Sequence, residues 1–362
     1  MQDYLEYGKA SVLIDGQFGS TGKGLAAAYA YMHKKVDSEK LICVTNAAPN
    51  AGHTTVLADG TKFVTFHMPT MGVLSPDSRI VLNAGAIIDP ELLIKEVQDL
   101  GVNPARVFIH PNAAVITPDD HDAEKDKSSS QTSIASTQKG VGAALANKVA
   151  RRGKVEKDYY SFFSEFGFRM FDNDINEMMK NHGYAVSIET PQGMSLSLNN
   201  GFYPYCTSRE VSVAQSLSDA GISPRFLHKV LMTMRTYPIR VGNIVDEQGN
   251  MVGWSGPVYD DQMELSWDNF PGIEPERTTV TKRVRRIFTF SNKQFAESLL
   301  RLQPDYVHVG FCDYFKSQAE FEDFVFNIQD ISADIGLDVD YRYSFGPSVN
   351  DIYQLEGARK KW

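Results

Sequence analysis

Short apolar runs alternate with helix-forming stretches along the first third of the chain. Ser11-Val12-Leu13-Ile14 leads into a Gly-rich segment, and residues 25–32 are an Ala-rich run of helix formers, which predicts strand, loop and helix in succession. Residues 41–45 and 79–82 are further apolar runs of buried-strand length. Asp89-Pro90 then opens an amphipathic helix toward Leu100, and 106–109 is the next strand. Strands alternating with helices predict an α/β fold: a mostly parallel central sheet, flanking helices and long functional loops, with ligands bound beyond the carboxyl ends of the strands.

From 128 to 153 the composition shifts to Ser, Thr, Gly and Ala, closing on Lys148-Val149-Ala150-Arg151-Arg152-Gly153, and predicts a loop-rich element. Residues 158–182 predict a helix, 185–189 a strand and 191–205 a polar, Gly-containing loop. The strand-like run 306–312 precedes a helix predicted over 318–335. No internal repeat, low-complexity tail or linker breaks the pattern, so residues 1–362 are expected to form a single domain.

Composition narrows the function. The 362 residues are 42% hydrophobic, enough for a large core. A net charge of −9 argues against a broadly basic face for nucleic acid or a membrane surface, so any anionic ligand must meet local cations. Cys43, Cys206 and Cys312 have neither the pairing of a disulfide framework nor the spacing of a zinc site, and reduced thiols in the cytoplasm are expected. The charged start Met-Gln-Asp-Tyr-Leu-Glu-Tyr does not read as a signal peptide, and no apolar run is long enough to span a bilayer.

Three segments carry chemistry. Gly16-Gln17-Phe18-Gly19-Ser20-Thr21-Gly22-Lys23-Gly24 is built like a phosphate cradle. Glycines let backbone N–H groups approach phosphate oxygens, a following helix N-terminus adds positive potential, and Lys23 neutralises a terminal phosphoryl group. The loop departs from the Walker pattern, with Gln17 at its first glycine and Gly24 at its magnesium-binding hydroxyl; a tight strand-to-helix turn is the alternative. Asn50-Ala51-Gly52-His53-Thr54 offers an amide, an imidazole and a hydroxyl to an oxyanion, the alternative being a satisfied surface histidine. Residues 277–286 hold five cations in ten positions, either guanidinium forks for carboxylates and phosphates or a solvated basic face.

Taken in order, these segments resemble the adenylosuccinate synthetase family. The Gly-rich loop, Asn50 to Thr54, the Lys148 to Gly153 segment, Gln192-Gly193, Tyr203-Pro204-Tyr205-Cys206-Thr207-Ser208 and the arginine segment follow the family's order over nearly the whole chain. The family phosphorylates O6 of inosinate (IMP) with a nucleoside triphosphate, and the amine of L-aspartate then displaces the phosphoryl group from C6. The resemblance implies Ser20, Lys23, His53 and Gln192 as catalytic positions, with Lys23 on the γ-phosphate and His53 and Gln192 stabilising O6. It implies Asn50, Ser136, Thr137 and Thr207 around the purine nucleotide's 5′-phosphate, joined by Arg151 from the neighbouring subunit of a homodimer. Gly19, Thr21, Gly22, Gly24, Gly52 and Thr54 would join Lys23 and His53 around the triphosphate. Thr281, Arg283 and Arg285 would hold the aspartate carboxylates, and Ser20 and the Gly52 carbonyl would face Mg2+.

Two departures from the family shift the expected substrates. The family's loop has an aspartate that takes the N1 proton and ligates magnesium; here that position is Ser20, and a hydroxyl is not a base at neutral pH without activation. Loss of a positioned base is worth about 10²–10⁴-fold. The phage-associated branch of the family carries serine there and acts on dGMP, making N6-succino-2-amino-2′-deoxyadenylate. Guanine adds a 2-amino donor beside N1, for which a hydroxyl leaves room and from which it can accept. Asp15 is either a compensating carboxylate or a turn cap. The family's Thr-Lys-Leu-Asp base-binding segment corresponds to Gly310-Phe311-Cys312-Asp313, which keeps Asp313 and lacks the lysine. Ser344-Phe345-Gly346-Pro347 resembles the second base-binding loop and brings in Ser344, Gly346 and Pro347. The expected substrates are dGMP, L-aspartate and ATP or dATP, in the host cytoplasm if the chain is phage-encoded. IMP with GTP is the alternative, and a non-catalytic purine nucleotide sensor is the alternative of another class.

Overall fold

A computed structural model describes residues 1–126, 131–278 and 282–361. Its centre is the strand Ala10–Asp15, buried at every position. Alternate side chains of this strand enter different cores. Val12 and Ile14 pack with Phe295, Leu299 and Phe321 on one face, and Leu13 packs with Ala26, Ala27 and Cys43 on the other. A strand covered on both faces has no polar side, which is why the sequence shows a continuous apolar run.

The main sheet has ten strands among the described residues. In spatial order they are Ile352–Tyr353, Asp340–Ser344, Tyr306–Gly310, Leu227–Arg235, Ala10–Asp15, Ala185–Gly193, Leu41–Thr45, Arg79–Leu82, Val107–Ile109 and Arg169–Met170. Every neighbouring pair is parallel except Ile352–Tyr353 with Asp340–Ser344. Asp15, Gly193, Arg235, Gly310 and Ser344 therefore end their strands along one edge of the sheet, where an open α/β sheet binds its ligands.

Local chemistry sets the predicted helix boundaries. Pro90–Asp99 starts where Asp89 accepts from the Leu92 N–H at 3.1 Å. Gln318–Ile335 starts at the Ser317 cap and stops at Gly336, whose φ of 80° ends the helix in the left-handed conformation. Three expectations need correction. The helix expected over 158–182 is two helices, Glu156–Glu165 and Ile175–His182, because Gly167 (φ 86°) turns the chain into the short edge strand Arg169–Met170. The loop-rich element of 128–153 contains the helix Val141–Val149, made of Ala and aliphatic residues that bury Val141 and Ala144. The loop expected over 191–205 begins as strand, since Ala185–Gly193 continues through Pro191 to bring Gln192 to the sheet edge.

Gly193 is where the two halves of that edge touch. It pairs with Asp15 after a register shift, and a Cβ on it would run into the Gln17 carbonyl, with the Asp15 carboxylate and the Gly19 nitrogen each 2.6 Å away. Backbone atoms cannot yield as a side-chain tip can. Gly193→Ala is expected to destabilise the fold by about 1–3 kcal/mol or more, read as a lower denaturant midpoint. An unchanged midpoint would contradict the packing described.

Candidate active site

The Gly-rich loop is closed by the carboxylate of Asp15. Oδ1 accepts from the backbone N–H groups of Gln17 (2.7 Å) and Gly19 (3.4 Å), while Oδ2 accepts from the Thr21 hydroxyl and from Lys23 Nζ (3.1 Å). The residue is fully buried. Asp15 is thus bonded as a turn cap and counter-ion. Gly19, Ser20 and Gly22 all adopt positive φ (93°, 57° and 86°), and the helix Lys23–Met32 begins directly after them. The turn leaves Ser20 exposed at its crest and tucks Lys23 beneath it. Gly24 has a different task from that of a Walker hydroxyl. A Cβ there would meet the Thr55 hydroxyl at 2.6 Å and the Thr54 carbonyl at 2.8 Å, so glycine lets the strand His53–Val56 lie against the helix.

Three adjoining cavities open along this edge. One of about 590 Å³ is lined by Ser20 to Leu25, by Gly52 to Thr54 and, across from them, by Asp313, Ser344, Gly346 and Pro347. A second, of about 310 Å³, is lined by Asn50, Ser136, Thr137, Gln192, Thr207 and the Tyr203 to Cys206 turn. A third, of about 90 Å³, joins them. It shares Ser20, Lys23, Gly52 and His53 with the first and Phe18, Asn50, Thr137 and Gln192 with the second, and Arg285 also faces it. Among the described residues this junction is lined by no carboxylate.

The junction groups are pre-positioned. Lys23 Nζ also donates to the Gln192 carbonyl (3.0 Å), and Gln192 Nε2 donates to Asn50 Oδ1 (3.1 Å). Gln192 holds a positive φ of 68° at the end of its strand, which aims its amide across the sheet edge. His53 Nε2 is buried without a partner. Burial, and then the neighbouring Lys23 ammonium, push the His53 pKa down to about 3, so the imidazole is neutral at physiological pH. Burial likewise pushes Arg285 down to about 10, opposed by Glu276, leaving it charged in a site that favours an anion.

The remaining expected residues divide. Arg283 lines none of the three cavities; its guanidinium donates to the carbonyls of Ala135 (3.1 Å), Ser136 (3.2 Å) and Gly242 (3.2 Å), bracing the Ser136-Thr137 turn. Arg151 is exposed at the end of the helix Val141–Val149, outside the cavities of its own chain. Thr281 lies outside the described residues.

The adenylosuccinate synthetase profile matches residues 12–170 and 169–290. The chain belongs to the adenylosuccinate synthetase family. It is 37% identical, over 96% of its own length and 94% of the relative's, to N6-succino-2-amino-2′-deoxyadenylate synthase of Acinetobacter phage SH-Ab 15497. It is 31% identical to adenylosuccinate synthetase of Methanococcus vannielii, over 77% of each chain. Among solved structures it is similar to Cyanophage S-2L succinoaminodeoxyadenylate synthetase bound to dGMP and dATP as an energy donor, with a TM-score of 0.83 and 34% identity over 98% of this chain and 99% of that one.

In this adenylosuccinate synthetase family member, several residues that complete the site were not singled out from the sequence. Arg240 lies with its guanidinium 4.6 Å from the Phe18 ring centroid and donates to the Tyr205 carbonyl (2.8 Å), fixing one wall of the second cavity. His308, fully buried, reaches Ser344 Oγ at 3.3 Å under the larger cavity. Arg235, fully buried at the end of its strand, forms an ion pair with the partly buried Glu276. Each sits at or within two residues of a strand's carboxyl end or at the base of the arginine segment. A charged residue closing an apolar strand, as in Leu231-Met232-Thr233-Met234-Arg235, was the available signal.

The His53 environment has a direct spectroscopic consequence. In protein labelled at histidine, the His53 ring is expected to stay neutral as pH falls through 6 to about 4, because its native pKa is held near 3. A ring titrating near 6.5 would contradict the burial described.

Proposed function

We propose that this chain is a ligase that joins L-aspartate to C6 of dGMP, using ATP or dATP, to give 2-amino-2′-deoxyadenylosuccinate. The carrying observation is the junction: Ser20 stands at the seat between two nucleotide-sized cavities, and no described carboxylate lines it. A carboxylate base for inosinate is missing there, and Asp15 is held by four other groups. A hydroxyl in that seat accommodates the 2-amino group of guanine and accepts a hydrogen bond from it. The similarity to the phage enzymes over nearly the full chain supports the same reading.

The chemistry runs in two displacements. The purine O6 attacks the γ-phosphorus, the bond to the β–γ bridging oxygen breaks, the nucleoside diphosphate leaves and N1 gives up its proton. The aspartate amine then attacks C6, phosphate departs with O6, and the amine sheds a proton. Lys23 and the loop N–H groups of Thr21, Gly22 and Gly24 hold the phosphoryl charge, with Gly19 shaping the turn beside it, and the neutral His53 and the Gln192 amide donate to O6, so catalysis is positioning plus electrostatic stabilisation. Asn50, Ser136, Thr137 and Thr207 take the 5′-phosphate, with Arg151 supplied by a second copy in a homodimer. Arg285, Arg283 and Thr281 take the aspartate carboxylates, which requires Arg283 to exchange its backbone carbonyls for substrate. Asp313, Ser344, Gly346 and Pro347 border the donor nucleotide.

A magnesium ion fits this site in one way. Among the described residues no group of three or more His, Cys, Asp or Glu is arranged to hold a metal, so the protein would contribute the Ser20 hydroxyl and the Gly52 carbonyl, with phosphates and water as the other ligands. When bound, the ion supplies neutralisation of charge on the β- and γ-phosphates.

Phosphate release from dGMP or IMP, each with aspartate and ATP, dATP or GTP, tests the proposal. Turnover is expected with dGMP and an adenine donor; turnover of IMP but not dGMP would overturn it. Ser20→Asp is expected to raise the ratio of IMP to dGMP turnover. His53→Asn is expected to lower kcat by about 10²-fold or more without unfolding the protein, and a wild-type rate would remove His53 from the mechanism. Lys23→Ala is a harsher probe, since it leaves Asp15 buried without its counter-ion at a cost of about 3–5 kcal/mol.

A further inference from the structure

Arg235 ends the strand Leu227–Arg235 and is fully buried, yet no step above uses it. Its guanidinium forks onto Glu276, with Nη1 donating to Oε2 at 3.1 Å and Nη2 to Oε1. The same Nη1 donates to the Ser20 carbonyl at 3.3 Å. The Phe311 ring centroid lies 3.6 Å from the guanidinium carbon, and Tyr314 donates its hydroxyl to Glu276 Oε1 at 2.7 Å. The Arg235 backbone is clamped in both directions by the Gln17 side-chain amide, at 3.0 and 3.2 Å.

Glu276 in turn begins the segment that carries the arginines. Its carbonyl accepts from the Arg285 N–H (2.8 Å), the Arg283 carbonyl accepts from the Thr278 N–H (2.9 Å), and Arg277 faces Val284 antiparallel. One guanidinium therefore touches two loops that must meet at the junction: the turn bearing Ser20 and the arms bearing Arg283 and Arg285. A largely buried ion pair contributes little net stability compared with apolar packing, so stability alone does not account for it. The Ser20 turn does need support, because the left-handed conformation costs a residue with a Cβ about 1–2 kcal/mol.

We propose that Arg235 is a positioning residue that, through Glu276 and the Ser20 carbonyl, holds the phosphoryl-transfer turn and the aspartate-binding arms in one register. The inference rests on reading those arms as the aspartate site. Arg235→Lys keeps the charge but cannot make the fork and the Ser20 bond together. Glu276→Gln keeps the shape and loses the counter-charge, and Tyr314→Phe removes a single donor to Glu276.

The test measures, for these three variants and wild type, the melting temperature, KM and kcat for each substrate, and the aspartate-independent exchange of ¹⁸O out of the β–γ bridge of ATP with dGMP bound. In Arg235→Lys and Glu276→Gln, kcat/KM for aspartate is expected to fall by about 10²-fold, chiefly through KM, with slower exchange and a smaller change in Tyr314→Phe. A merely structural role would lower kcat with the folded fraction and leave every KM in place. Folded variants with wild-type aspartate KM and exchange would overturn the proposal, and if Arg235→Lys does not fold, the other two decide by the same criterion. Failure of the functional reading looks different: wild type itself then fails to use dGMP. If it uses IMP, the comparison is made on IMP; if it turns over neither purine, both readings fall.

Discussion

The Asp15 carboxylate organises this site by being unavailable to its chemistry. Buried at the end of the central strand, it accepts from two backbone N–H groups, the Thr21 hydroxyl and the Lys23 ammonium. Those bonds close the glycine turn, hold Lys23 beneath it and fix the crest on which Ser20 stands. Gly193 packs against the same carboxylate, so the second cavity is set relative to the first through one side chain. In the proposed reaction the position that meets the purine is residue 20, and here it carries a hydroxyl.

Charge is arranged locally in a protein whose overall balance opposes it. A chain of net charge −9 gathers Lys23 and Arg285 at a junction without described carboxylates and keeps His53, near Lys23, neutral. A neutral imidazole donates a hydrogen bond to a developing oxyanion without adding a third positive charge to the resting site. Low-dielectric surroundings make each of these groups more effective toward a phosphoryl group than it would be in water. The same surroundings make the cations costly when unpaired, which is why Lys23 rests on Asp15 and why Arg235, behind the junction, is matched to Glu276.

Much of this was legible in the residues, for reasons tied to each. The strands Leu41–Thr45 and Arg79–Leu82 were read to the residue because both faces are covered and the apolar runs are continuous. The helices after Asp89 and Ser317 start where a capping side chain says they should. Lys23, His53, Gln192 and Asn50 were assigned through the resemblance and do converge on one cavity. The break at Gly167 was hidden because the helix-forming composition on either side outweighs a single glycine. The role of Arg235 was hidden because its partners, Ser20 and Glu276, lie 215 and 41 positions away, and periodicity carries no information about such pairings. Arg283 suits a carboxylate by residue type, but its hydrogen bonds to the carbonyls of Ala135, Ser136 and Gly242, 148, 147 and 41 positions away, could not be read from the sequence.

The central claim is that Ser20, and not a carboxylate, meets the edge of the purine. An experimental structure with dGMP and a non-hydrolysable ATP analogue tests it most directly, by the identity of the group within hydrogen-bond distance of Ser20 Oγ. The expected result is the guanine 2-amino group at that distance, with Asp15 still bonded to Gln17, Gly19, Thr21 and Lys23. A purine whose 2-amino group points away from Ser20, or an Asp15 released from the loop and turned toward N1, would contradict the account.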